Sequence, residues 1–227
     1  MVNLKKKIHS SLAILAVLFF FPVNFIFSAV KAPLEGRKIL IDPGHGTIDP
    51  RGRIINTGRK TNNGYREHKL NLEVSQKLRD YLTKLGAEVF MTRTSYDYWR
   101  EGVSTPEDNK ARGYFANEIG ADAYLAIHCD WHPKRKFNGI TTYYYSKNSR
   151  RLGSLIQNNL IKNLGARDRG LVRDSFSVLD AAQMPAVLVE IGYLSNDEEA
   201  RKLLSPNYQD KIVKALSQAL LSFFTTN

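Results

Sequence analysis

Ala186-Val187-Leu188-Val189-Glu190-Ile191 is continuously apolar except for one glutamate. A strand with one wet face alternates apolar and polar residues, whereas a strand covered on both faces reads as an unbroken apolar run. Ala123–Ile127 (AYLAI) is a second run of this kind. Between and around these two strands lie segments of helical period. Leu70, Val74, Leu78, Leu82 and Leu85 recur at helical spacing, with Gly86 where a helix is expected to end. A second helix is expected over Pro106–Ile119, with Ala111, Phe115 and Ile119 on one face, and a third over Arg150–Leu164. Ser195 with Glu198 has the spacing of a capping box before a short helix, and Pro206 opens a last one carrying Ile212, Leu216, Leu220 and Phe223.

Lys38–Ile41, Ala87–Thr92 and Ile140–Tyr145 supply further strands, and Asp49–Asn63, rich in Gly, Asn, Thr and Arg, is expected to be a surface loop. Strands alternate with helices along the chain. The expected fold is a single α/β domain: a mostly parallel or mixed twisted sheet with helices on both faces.

The 227 residues suffice for one catalytic domain after an N-terminal segment is set aside. In that segment, residues 1–30, Lys5, Lys6 and Lys7 precede an apolar run from Leu12 to Phe27 broken by Pro22 and Asn24. This is the pattern of an export signal, with an uncleaved membrane anchor as the alternative because Phe27 fits poorly before a cut after Ala29. The folded part, expected from Leu34 to Asn227, is then placed outside the cytoplasm, in the cell wall, periplasm or medium, and touches a membrane only if the segment is retained. The lone Cys129 excludes an internal disulfide. A formal charge of +11 suits nucleic acid, but with an export signal it suits an anionic wall polymer or membrane surface better. Nucleic acid is not expected as a partner: Tyr143, Tyr144 and Tyr145 fall in one strand, where packing accounts for them, and no basic aromatic module surrounds them.

In open α/β sheets, functional groups gather beyond the carboxyl ends of the strands. His45, flanked by Gly44 and Gly46, His128 after Ala123–Ile127, and Glu190 near the end of its own run all occupy such positions. A carboxylate buried without a partner costs several kcal/mol, so Glu190 implies either an ion pair or a task. Catalytic zinc sites take three His or carboxylate ligands and leave a fourth position for water. His45 and His128 supply two. For the third, His68, His132, Glu67, Asp42, Asp130 and Cys129 all remain open on residue type alone.

The segments Ile39–Gly46 (ILIDPGHG), Glu67–Asn71 (EHKLN), Ala126–His128 (AIH) and Pro185–Asn196 (PAVLVEIGYLSN), in this order, closely resemble the zinc-dependent N-acetylmuramoyl-L-alanine amidases. The resemblance implies one zinc ion held by His45, Glu67 and His128, with Glu190 as the catalytic residue. It implies a peptidoglycan substrate, cut at the amide between the sugar strand and the peptide stem. Two positions depart from the family pattern: Asp130 stands where asparagine is usual, and Asp180 follows Val178-Leu179 where arginine is common. Some members carry a long inserted helix over the metal. Asp130–Gly139 is too short for one, because isolated helices need roughly 12 to 15 residues, so an uncovered site is expected. The alternatives are a zinc peptidase cutting within the stem, which needs the same metal and base, and a non-catalytic wall-binding protein.

Overall fold

The computed structural model describes residues 31–48, 53–95 and 105–226. The expected export segment lies outside them, and among the described residues no helix is long and apolar enough to cross a membrane. In chain order the elements are β1 (Lys38–Pro43), β2 (Thr47–Ile48), β3 (Ile54–Asn56), α1 (Glu67–Lys84), β4 (Glu88–Met91), α2 (Thr105–Glu118), β5 (Ala123–Asp130), β6 (Ile140–Tyr144), α3 (Arg150–Leu164), β7 (Asp168–Arg173), α4 (Ser177–Asp180), β8 (Ala186–Tyr193), α5 (Asp197–Leu203) and α6 (Pro206–Thr225), with a single 3-10 turn at Lys147–Ser149.

Six strands form one mixed sheet in the order β4-β1-β5-β8-β6-β7. The β4, β1, β5 and β8 neighbours run parallel; β6 is antiparallel to β8 and parallel to β7. The two apolar runs, β5 and β8, are the central pair, as their lack of alternation requires. Their side chains serve two cores by parity. Leu125, Ile127, Cys129, Val187, Val189 and Ile191 join the core built with α1, α3 and α6, whereas Tyr124, Ala126, Ala186 and Leu188 face α2 and α4. Helices therefore cover both faces, as expected.

The helix ends follow local chemistry. Gly86 and Gly165 take positive φ just past α1 and α3, a conformation that strains a residue with a Cβ, and Pro206 starts α6 where its missing N–H has no role. The expected cap of α5 moves by one residue. Asn196, not Ser195, accepts from the backbone N–H groups of Glu198 and Glu199, and the Ser195 hydroxyl accepts from the His132 N–H instead. The segment expected as loop from Asp49 holds β3, which pairs antiparallel with β2.

Candidate active site

His45 sits in the turn that follows β1, at φ 64°, a left-handed conformation uncommon for a residue with a Cβ. Such a conformation costs of order 1–3 kcal/mol and persists only where its surroundings over-determine it. Two buried arginines do so. Arg93 donates to the carbonyls of Pro43 (3.0 Å), Gly44 (3.1 Å) and His45 (3.0 Å). Arg112 donates to those of Pro43 (3.3 Å) and His45 (3.1 Å). On the imidazole, Nδ1 donates to Asn56 Oδ1 at 2.7 Å, an oxygen that also accepts from the Gly58 N–H. The remaining nitrogen, Nε2, points inward and lies 2.9 Å from Glu67 Oε1.

Glu67 is the first residue of α1, where the helix dipole favours a negative charge. Its Oε1 accepts from the Cys129 N–H (3.2 Å) and lies 3.3 Å from His128 Nδ1, and its Oε2 accepts from the Arg59 N–H (2.8 Å). Burial alone would raise the Glu67 pKa, but hydrogen bonds to His128 and His45 outweigh it and hold the group below the usual carboxylate range. Burial is also the main cause lowering the His128 pKa, a shift toward the neutral ring that a metal ligand requires. The packing admits no extra atom at two glycines. A Cβ on Gly44 would lie 2.3 Å from the His128 ring, and one on Gly58 would lie 2.4 Å from Glu67 Oε2 and 2.5 Å from the His45 ring.

One ligand atom from each of His45, Glu67 and His128 falls within 4.8 Å of the others. Two imidazole nitrogens and a carboxylate oxygen, with an Asn behind one imidazole, form a donor set that fits a catalytic divalent metal. The rival ligands go elsewhere. Asp42 is taken by Arg112 (2.7 Å), Thr92 (2.5 Å) and Tyr124 (2.6 Å). His68 Nδ1 contacts the Thr57 carbonyl at 3.1 Å. The His132 ring stacks on Phe137, with centroids 3.7 Å apart. Cys129 is buried in the core on the other face of β5, as strand parity requires, and burial pushes its thiol pKa well up.

Glu190 on β8 is the Cα register partner of His128 on β5, so both project from the same face of the sheet. Its Oε2 is buried, with no hydrogen-bond partner among the described residues. Burial, then the negative charges of Glu67 and Asp130, push its pKa well above the usual value. Glu190, His45, Glu67 and His128 all line one cavity of about 620 Å³. A desolvated carboxyl beside a three-ligand metal cradle, opening on a space of substrate size, is equipped to move a proton to or from a reacting group.

The sequence profile of the family described as N-acetylmuramoyl-L-alanine amidase matches residues 39–222. The chain belongs to this family. The germination-specific N-acetylmuramoyl-L-alanine amidase of Bacillus subtilis (strain 168) is 34% identical over 202 residues, which make up 85% of this chain and 82% of that protein. The crystal structure of N-acetylmuramoyl-L-alanine amidase from Clostridium difficile 630 superimposes with a TM-score of 0.75 at 30% identity, covering 84% of this chain and 98% of the other. The CwlD amidase from Clostridioides difficile, solved in complex with the GerS lipoprotein, gives 0.76 at 25% identity over 84% and 100% of the respective chains. The amidase is thus a hydrolase of cell-wall peptidoglycan.

The two departures from the family pattern separate in space. Asp130 lines the cavity, where it receives a hydrogen bond from Tyr193 and from the Trp131 N–H (2.6 Å). Asp180 is exposed on α4 and does not line it. Four residues of the amidase site escape a reading of the sequence: Asn56 behind His45, the clamping Arg93 and Arg112, and Arg59, whose main chain holds Glu67. Asn56 and Arg59 lie in a stretch without periodicity, and no pattern separates a buried arginine from an exposed one.

Proposed function

We propose that this amidase binds one zinc ion through His45 Nε2, Glu67 and His128 Nδ1, and hydrolyses the amide between N-acetylmuramic acid and L-alanine with Glu190 as general base and acid. The observation that carries the proposal is the convergence of the three donor atoms beside the unpartnered, buried Glu190 Oε2 in one cavity. The chemistry that such an ion supplies is Lewis acidity toward the scissile carbonyl and the attacking water. Glu190 takes the proton of that water as the new C–O bond forms. It returns the proton to the departing nitrogen as the C–N bond breaks, leaving a lactyl carboxylate on the sugar and a free amine on L-alanine. Its raised pKa suits a group that must both accept and release a proton.

The N-terminal charge and apolar run, together with the +11 net charge, support a site of action outside the cytoplasm, against an anionic wall. The β5–β6 connection carries no helix, which supports an uncovered site with activity of its own.

Mass spectrometry of purified muropeptides digested by the zinc-loaded protein, without a partner, tests the reading. Products with a free lactyl carboxylate and peptides beginning with L-alanine are expected. Cleavage inside the stem would make the protein a peptidase, and intact muropeptides would leave it a binding protein. His45→Ala and His128→Ala are expected to lose both zinc, measured by elemental analysis, and turnover, because two protein ligands make a far poorer site than three.

A further inference from the structure

The acidic residues lining the cavity are Asp42, Glu67, Asp130 and Glu190, and its cations are Arg59 and Arg112. Arg112 is occupied by Asp42 and Asp108. Arg59 is exposed, and among the described residues no carboxylate pairs with it. Its guanidinium instead lies 5.0 Å from the ring centroid of Trp131, a residue 37% exposed on the same cavity wall. Its main-chain N–H meanwhile holds Glu67 Oε2. One residue therefore supports a metal ligand through its backbone and presents a charged fork through its side chain.

A guanidinium steadied on an aromatic face has already lost part of the rotamer freedom that binding an anion would otherwise remove, and its planar donors match a carboxylate. The acidic cavity would repel an anionic substrate unless a cation met it. In peptidoglycan the carboxylates belong to the peptide stem, so the charge locates the stem rather than the sugar strand. We propose that Arg59, aligned by Trp131, is a specificity-determining residue that binds a free carboxylate of the peptide stem, on the leaving-group side of the scissile amide. Extended residues span about 3.3–3.6 Å each, so the second stem residue places its α-carboxylate within roughly two residue lengths of the reacting nitrogen. That reach suits a side chain whose own backbone touches Glu67. The inference rests on the amidase reading.

The test compares kcat/KM for two muropeptides that differ only in whether the α-carboxyl of the second stem residue is free or amidated. The wild-type protein is expected to favour the free acid about 10-fold, as a charge-assisted hydrogen bond at a partly exposed site would give. Arg59→Met, which keeps an unbranched side chain for Trp131 but no charge, should cleave the free acid and the amide with equal kcat/KM. Its zinc content should not change, since Glu67 is held by the main chain. Equal rates in the wild type, or a preference that survives in Arg59→Met, overturn the role of Arg59 while leaving the amidase intact. A wild type that cleaves neither substrate refutes the amidase reading and this role with it.

Discussion

Glu190→Gln is expected to lower turnover by about 10² to 10⁴-fold, the usual worth of general acid–base catalysis, while zinc remains near stoichiometric. Glutamine keeps the shape of the side chain but cannot take up the proton of the attacking water. The same substitution should leave the fold unharmed or more stable. Glu190 has its pKa raised by burial and by the charges of Glu67 and Asp130, so it weakens the native state once pH rises past its unfolded value near 4.3. Denaturant titration of the metal-free variant should give a midpoint at pH 7 no lower than the wild type, with the difference vanishing toward pH 4. Loss of zinc from Glu190→Gln, with normal cleavage once zinc is in excess, would show Glu190 to be a ligand instead of a base.

Arg112→Met is expected to remove about 3–5 kcal/mol of stability, the range for breaking a buried ion pair from one side. The guanidinium and both its carboxylate partners are almost wholly buried, with Arg112 2.7 Å from Asp42 and 2.9 Å from Asp108. Methionine keeps a side chain of similar length but removes the cation that both buried carboxylates meet. In the wild type, burial would raise the Asp42 pKa, but Arg112 and hydrogen bonds from Thr92 and Tyr124 hold it down. This pair therefore stabilises the native state above pH 4 and loses its effect as pH falls through the depressed value. In the variant burial dominates, and the sign reverses: stability should fall as pH rises. The deficit, measured by denaturant titration of the metal-free protein, is expected to be smaller at pH 5 than at pH 7. An equal deficit at both would place the effect in packing. Because Arg112 also holds the Pro43 and His45 carbonyls, zinc affinity measured by chelator competition should fall in the same variant.

The central strands and long helices are legible because their physics is local or periodic. β5 and β8 lack alternation since both their faces are covered, and α1 gives way to Gly86 with positive φ, as its sequence predicts. β7 and α4 are not legible. Asp168–Arg173 (DRGLVR) pairs along one edge only and is largely open to solvent, so its composition carries no buried face, and α4 is four residues long. At the site, His45, His128 and Glu190 stand out because each interrupts or closes an apolar run. Glu67 needed the family resemblance, because a glutamate in the first turn of a helix is ordinary surface chemistry by itself. Its difference is conferred by distant groups, the Cys129 and Arg59 N–H donors and the two imidazoles, which reach it only through the tertiary fold.

The four residues of the proposed centre reside on the turn after β1 and on α1, β5 and β8, and the parallel neighbours among these strands are joined by long crossovers. Pairings of such high sequence separation form late, after the entropy of closing each large loop has been overcome. Without β8 the proposed metal cradle would lack Glu190, and without β5 it would lack His128. The groups of the proposed centre therefore come together only when the sheet has joined β8 to β5, where Glu190 is the register partner of His128.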